Sequence, residues 1–194
     1  MMVKICGITN RDDALAAVEA GASAIGFNFY RESPRYIPHT GAATIAEKIP
    51  ASVWKVGIFV NEKPETIARC VLDAGLDVVQ LYGTAEAPGI RVWRACKITD
   101  SLNGFLLDDS VEALLLDSPS DDLHGGTGKT FDWSRARGIA KKIVIAGGLD
   151  AGNVRAAIEQ AQPWGVDACS SIEKSPGVKD HEKMTKFVKA ALGV

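Results

Sequence analysis

No apolar run in this 194-residue sequence approaches the roughly 20 residues that a membrane-spanning helix requires. No Pro/Ser-rich run or charge block is present to serve as a linker, so one domain over residues 1–194 is expected. The four cysteines, Cys6, Cys70, Cys96 and Cys169, form no C-x-x-C. His39, His124 and His181 do not stand at metal-ligand spacing from them, so no metal site is expected. An excess of one charge is also missing. Acidic residues number 24 and basic residues 22, a net charge of −2 that leaves no electrostatic footprint for nucleic acid or an anionic membrane. Met1-Met2-Val3-Lys4 leads straight into an apolar strand without a signal-peptide pattern, which with the unpaired thiols sets the expectation of a reducing, cytoplasmic compartment. What remains is a chain of 46% hydrophobic residues, suited to an α/β domain.

Val3 to Ile8 reads as the first strand, and Asn10 caps a helix from Arg11 to Ala20 that Gly21 ends. Further strands are expected at Ala24–Tyr30, Trp54–Val60, Asp77–Leu81, Ile90–Ile98, Val111–Asp117, Lys142–Gly147 and Val166–Ser170. Helices are expected after caps at Thr40, Asp150 and Asp180, and from Pro64 to Gly75. The last helix carries the stripe Met184, Phe187, Val188 and Ala191. Eight strands alternating with helices predict a parallel sheet closed into a (β/α)8 barrel. A doubly wound open sheet is disfavoured, because Cys6-Gly7-Ile8-Thr9-Asn10 carries no dinucleotide fingerprint. The fourth crossover is anomalous. Only Thr84 to Gly89 separates two strands, too short for the usual helix, so that helix is expected to be shortened or lost. Stripping it should leave an apolar patch over strands four and five.

In a barrel, the C-terminal ends of the strands face the active site. They bring forward Cys6, Asn10, Phe29 with the loop to Arg35, Asn61, Tyr82, Lys97, Asp117, Gly147-Gly148 and Ser170-Ser171. One thiol, one carboxylic acid, cations and glycines suit proton transfer on an anionic substrate. Asp117 follows three leucines, so desolvation should raise its pKa and favour a proton donor. Gly147 and Gly148, with Ser170 and Ser171, close the two strands whose loops commonly hold phosphate. Arg35 could grip a carboxylate through its forked donors, although a solvated surface arginine is the plainer reading. Gly125-Gly126-Thr127-Gly128-Lys129-Thr130 misses the P-loop pattern at Leu123 and does not follow its strand directly. A glycine-rich lid fits better, with Gly126 assigned to substrate binding.

Lys4-Ile-Cys-Gly-Ile-Thr9, Ser33-Pro-Arg-Tyr36, Val56-Gly-Ile-Phe-Val-Asn61, Gln80-Leu-Tyr-Gly83, Gly125-Gly-Thr-Gly-Lys-Thr-Phe-Asp-Trp133, Ala146-Gly-Gly-Leu149 and Pro176-Gly177 with Lys179-Asp180 occur in that order. Over essentially its whole length the chain thereby resembles phosphoribosylanthranilate isomerase of tryptophan biosynthesis. The resemblance implies a cofactor-free barrel performing an Amadori rearrangement of a small phosphosugar. Cys6 would be the general base and Asp117 the general acid, with Lys4 or Arg35 as candidate cations for the thiolate. Oligomerisation is possible but not required. Tyr82 stands where the family usually has histidine, and Ser171 where it usually has glycine. If Ser171 kept a left-handed backbone, its Cβ would cost roughly 1–2 kcal/mol. Two rivals remain. The related isomerase of histidine biosynthesis uses aspartate where Cys6 stands, and a phosphosugar-binding barrel without turnover finds support only in Tyr82, Ser171 and the lost helix.

Overall fold

The structure is a computed structural model that describes residues 1–87, 89–98, 102–118 and 131–194. Its barrel strands are β1 (Met2–Ile5), β2 (Ala24–Asn28), β3 (Trp54–Val60), β4 (Val78–Tyr82), β5 (Arg91–Lys97), β6 (Val111–Asp117), β7 (Lys142–Ile145) and β8 (Gly165–Ala168). Each pairs in parallel with the next, and β8 closes on β1 through Lys4↔Asp167 and Ile5↔Ala168. The expected closed barrel is therefore present. Around it run α1 (Arg11–Ala20), α2 (His39–Ala46), α3 (Pro64–Ala74), the single turn α4 (Asn103–Leu106), α5 (Val154–Ala161) and α6 (His181–Leu192).

Local chemistry explains most boundaries. Asn10 Oδ1 accepts the Asp13 N–H at 2.9 Å to start α1, and Gly21 stops it at φ +100°. Asp180 caps α6, whose Met184, Phe187, Val188 and Ala191 are all buried. Two caps differ from expectation. Thr40 lies inside α2, which begins after Pro38, and Thr40 O accepts from Thr44 Oγ1 instead. Asp150 holds a turn over Gly152 and Asn153, so α5 begins only at Val154. β1 stops at Ile5, short of Ile8, because Gly7 turns the chain at φ +74°.

Inward and outward side chains alternate along every strand. Outward Val3, Ile5, Phe27, Leu81, Leu114 and Val166 pack under the helices. Inward Val56, Val78, Ala113, Leu115 and Val144 fill the barrel. Its floor is a tryptophan trio. Trp93 meets Trp164 edge-on at 5.6 Å, Trp54 stacks on Trp164 at 5.8 Å, and Arg91 lies 4.1 Å above Trp54.

Among the described residues no helix lies between β4 and β5. An arginine substitutes for it. Arg94, on the outer face of β5, donates from Nη1 to the carbonyls of Gly83 and Ala85, both at 3.0 Å, and from Nη2 to Ala85 at 3.0 Å. Phe105 covers that guanidinium at 5.6 Å. Val79 and Leu81 are fully buried, and the expected apolar surface lies beside them, in a groove between α3 and the crossover lined by Ile67, Val71, Leu72, Ala87 and Ile90, with Leu72 82% exposed.

Candidate active site

The alternation that fills the barrel also arms its mouth. On β1 and just beyond it, Lys4 and Cys6 point inward. On β8 and just beyond, Asp167 and Cys169 do the same. A cleft opens here, lined among others by Cys6, Tyr82, Asp117, Gly147, Gly148, Ser170 and Ser171.

Lys4 is fully buried, and its Nζ lies 3.0 Å from Asp167 Oδ1. Burial opposes its charge, but Asp167 and the Cys6 sulfur outweigh that penalty and raise its pKa. For Asp167 burial wins, and its pKa is pushed up to about 7 despite Lys4. The Cys6 thiol is held well below its ordinary value, first by the hydrogen bond from Cys169, then by the Lys4 and Lys179 charges acting against burial. Of the two cations considered for the thiolate, Lys4 is thus the nearer influence.

Asp117 ends β6 across the mouth from Cys6. Burial raises its pKa, with a smaller push from Cys6, while the Ser118 N–H donating to Oδ1 at 2.8 Å pulls the other way. Tyr82 is pushed well up, chiefly by burial and by Asp117, and its hydroxyl accepts from Gln80 Nε2 at 3.3 Å. The tyrosine-for-histidine departure thus supplies a neutral hydroxyl within the cleft.

The phosphate-loop candidates come together. Gly147 and Gly148 adopt φ +81° and +65°. A Cβ on Gly147 would fall 2.6 Å from Asp117 Oδ1 and 2.3 Å from Ser118 Oγ, so only glycine fits against the carboxylate. Ser170–Ile172 form a single 3-10 turn, and Ser171 Oγ donates to Leu149 O, tying the loop after β8 to the loop after β7. Ser171 does not have a positive φ, so the left-handed strain considered for its Cβ does not arise.

Arg35 is not the surface residue of the plainer reading. Its Nε and Nη2 grip the Glu173 carboxylate at 2.9 and 2.8 Å, and its side chain is 16% exposed. Glu173 belongs to a hairpin of β9 (Glu173–Ser175) and β10 (Val178–Lys179) that follows β8. From that hairpin the buried Lys179 Nζ reaches Glu173 Oε1 at 2.8 Å and Cys169 O at 3.2 Å. Gly7 packs against both neighbours, since a Cβ there would sit 2.7 Å from Arg35 Cδ and 3.0 Å from Cys169 Sγ.

Other sequence candidates do not join the cleft. Asn10 serves α1, Phe29 stacks on Phe59 at 5.1 Å, and Asn61 Oδ1 accepts from the Thr84 N–H. Gly126 lies outside the described residues. Sequence reasoning missed Gln80, Asp167, Cys169, Glu173 and Lys179 as parts of the site. For Asp167 a signal existed, a carboxylate flanked by Val166 and Ala168 in an apolar strand.

Among known proteins, residues 3–190 match the family described as N-(5'phosphoribosyl)anthranilate (PRA) isomerase. The chain is 50% identical over 202 residues to the N-(5'-phosphoribosyl)anthranilate isomerase of Solibacter usitatus, covering 100% of both. It superposes on the crystal structure of phosphoribosyl anthranilate isomerase from Thermotoga maritima with TM-score 0.90, at 40% identity and 100% coverage of each chain. It also superposes with TM-score 0.86, at 38% identity and 100% coverage of each, on a phosphoribosyl anthranilate isomerase in complex with reduced 1-(o-carboxyphenylamino)-1-deoxyribulose 5-phosphate.

Proposed function

The chain belongs to the N-(5'-phosphoribosyl)anthranilate isomerase family and is an isomerase of the tryptophan pathway; from that premise we propose how its own residues perform the reaction. Cys6 is the general base and Asp117 the general acid. Asp117 protonates the ribose ring oxygen, and the ring opens to a Schiff base. The resulting iminium acidifies the sugar C2 proton, which the Cys6 thiolate removes. The enolamine then becomes the ketone, 1-(2-carboxyphenylamino)-1-deoxyribulose 5-phosphate.

One observation carries this assignment. Cys6 and Asp117 line the same cleft, and their surroundings shift Cys6 toward the thiolate and Asp117 toward the carboxylic acid. A lowered thiol pKa suits a base that must start deprotonated, and a raised carboxyl pKa suits an acid that must start protonated. Lys4 keeps the thiolate company without sharing its proton, since its own pKa is raised.

The phosphate is bound between Gly147-Gly148 and Ser170-Ser171, where left-handed glycines turn backbone toward the cleft. Gly126 is assigned to substrate binding on the sequence resemblance alone. Arg35 meets the anthranilate carboxylate through its Nη1 edge, since Glu173 takes Nε and Nη2. The reaction needs no cofactor, nucleic acid or membrane. A second copy of the chain is not required, because every role falls on residues of one chain. The cytoplasm is the proposed compartment, supported by the four free cysteines.

The test is fluorescence loss of freshly made phosphoribosylanthranilate. Wild type should convert it, while Cys6→Ala and Asp117→Asn should each fall by about 10² to 10⁴ in turnover. A normal rate in Cys6→Ala would refute the base assignment.

A further inference from the structure

Cys6 has a second thiol beside it that the isomerisation does not consume. The β1–β8 ladder pairs Lys4↔Asp167 and Ile5↔Ala168, and the Cys6 N–H donates to Ala168 O at 2.9 Å. Continuing that register sets Cys6 and Cys169 side by side. Lateral neighbours in a parallel ladder have α-carbons roughly 5 Å apart, inside the range a disulfide spans. Period-two alternation from inward Lys4 and Asp167 turns both sulfurs into the same cleft, which both residues line. Both thiols are free and partly solvent-accessible, whereas Cys70 and Cys96 are buried.

The surroundings favour attack by this pair. Lys179 Nζ lies 3.9 Å from Cys169 Sγ, and Arg35 shares with that sulfur the space facing Gly7. Cations stabilise the thiolate, which is the nucleophile in thiol oxidation. Hydrogen bonding between the two thiols lowers the Cys6 pKa and raises that of Cys169, and Lys4 stands on the Cys6 side, which favours Cys6 as the attacking sulfur.

We propose that Cys6 and Cys169 form a reversible disulfide on exposure to hydrogen peroxide, and that the bridge switches the isomerase off. The Cys6 thiolate attacks one peroxide oxygen, the O–O bond breaks, and Cys6 becomes a sulfenic acid as hydroxide leaves. Cys169 sulfur then attacks Cys6 sulfur, the S–S bond forms, and the S–O bond breaks with loss of a second hydroxide. The Cys169 proton and one solvent proton convert both hydroxides to water. Two electrons pass from the sulfurs to peroxide. The bridge lies at the cleft wall, where a small dithiol can reach and reduce it.

Loss of activity rests on Cys6 being the base, so the test reads chemistry and activity separately. Purified protein is treated with hydrogen peroxide, alkylated under denaturing conditions and analysed by peptide mass spectrometry. The expected result is a Cys6–Cys169 cross-linked peptide, with Cys70 and Cys96 still alkylated. Turnover should fall by about 10² to 10⁴, the loss of a positioned base, and return with dithiothreitol. In Cys169→Ser, with rates normalised to that variant's own starting activity, Cys6 should instead trap dimedone. Excess peroxide should then inactivate that variant beyond rescue. Four alkylatable thiols surviving in peroxide-treated wild type, or equal dimedone trapping in both proteins, would overturn the bridge. A complete bridge with full turnover would overturn the switch, and would mark the reading of Cys6 as base as the part that failed.

Discussion

Lys4→Met removes the only positive charge bonded to Asp167 among the described residues, inside the barrel and away from solvent. At 3.0 Å and an effective dielectric near 20, the Lys4–Asp167 attraction is about 5.5 kcal/mol. Desolvation offsets much of that, but stripping one partner leaves the other buried, a loss of about 3–5 kcal/mol. Asp167 can soften the loss by staying protonated, since its pKa already stands at about 7 with Lys4 present. The low end, about 3 kcal/mol, is therefore expected, or roughly 6–12 °C in Tm for a chain of this size. The sign with pH follows from the shifts. Asp167 has a raised folded pKa, so its contribution is complete below the ordinary aspartate value and is lost as pH rises through about 7. Lys4 has a raised pKa and keeps its stabilising charge throughout that window. Without Lys4 the Asp167 penalty grows further, so the deficit should widen as pH rises above about 7. Urea unfolding of Lys4→Met, Asp167→Val and the double variant measures this. The double variant should regain much of the stability, because an apolar pair replaces an orphaned charge, but not the Cys6 thiolate absorbance in the ultraviolet. A Lys4→Met deficit below about 1 kcal/mol, no widening with pH, or a double variant no better than the single would refute the reasoning.

Gly147→Ala should lose stability by about 1–3 kcal/mol for the forced contact and about 1–2 more for the left-handed backbone, and lower kcat because the new methyl abuts Asp117; a variant of wild-type melting temperature and kcat would contradict that packing. Arg94→Leu leaves the carbonyls of Gly83 and Ala85 without their donor, at about 1–3 kcal/mol for each unsatisfied group. Native-state hydrogen exchange should then accelerate over residues 83–87 and the adjoining ends of β4 and β5, and unchanged exchange there would show that something else holds the helix-free crossover. Ser171→Gly cuts the bond to Leu149 O that joins the two proposed phosphate loops. It should raise KM several-fold with little change in kcat, as expected for phosphate binding shared by ground and transition states; an equal fall in kcat at constant KM would place Ser171 in the chemistry instead.

Local pattern was enough for much of the frame. β3 and β6 appear with the boundaries their apolar runs predict, because a strand buried on both faces leaves an uninterrupted signal. Asn10, Asp180, Gly21 and Gly75 mark helix ends because capping is chemistry within a few residues. Asp117 was legible for a similar reason, since desolvation by the three preceding leucines is written beside it. What sequence reasoning did not reach is made by distant partners. Trp54, Trp93 and Trp164 become a floor only after the barrel closes. Arg94 reads as a misplaced charge in a strand until the missing helix leaves carbonyls for it to bind. Glu173 claims Arg35 across 138 residues, and Cys169 reaches Cys6 only through the β1–β8 seam. Lys4, two residues before Cys6, shares its inward face by period-two alternation, so the nearer cation for the thiolate was within reach of local pattern.

The central claim, a thiolate base facing a carboxylic acid, is tested most directly by the pH dependence of kcat/KM in wild type and Asp117→Asn. Wild type should give a bell. Its rising limb follows Cys6, displaced to acid from an ordinary thiol because the hydrogen bond from Cys169 and the Lys4 charge favour the thiolate. Its falling limb follows Asp117, displaced to alkali from an ordinary aspartate by burial. Asp117→Asn, with no proton to lose, should keep a weak activity that retains the rising limb and lacks the falling one. A wild-type profile flat from acid to alkaline pH, or a falling limb that persists unmoved in Asp117→Asn, would contradict the account.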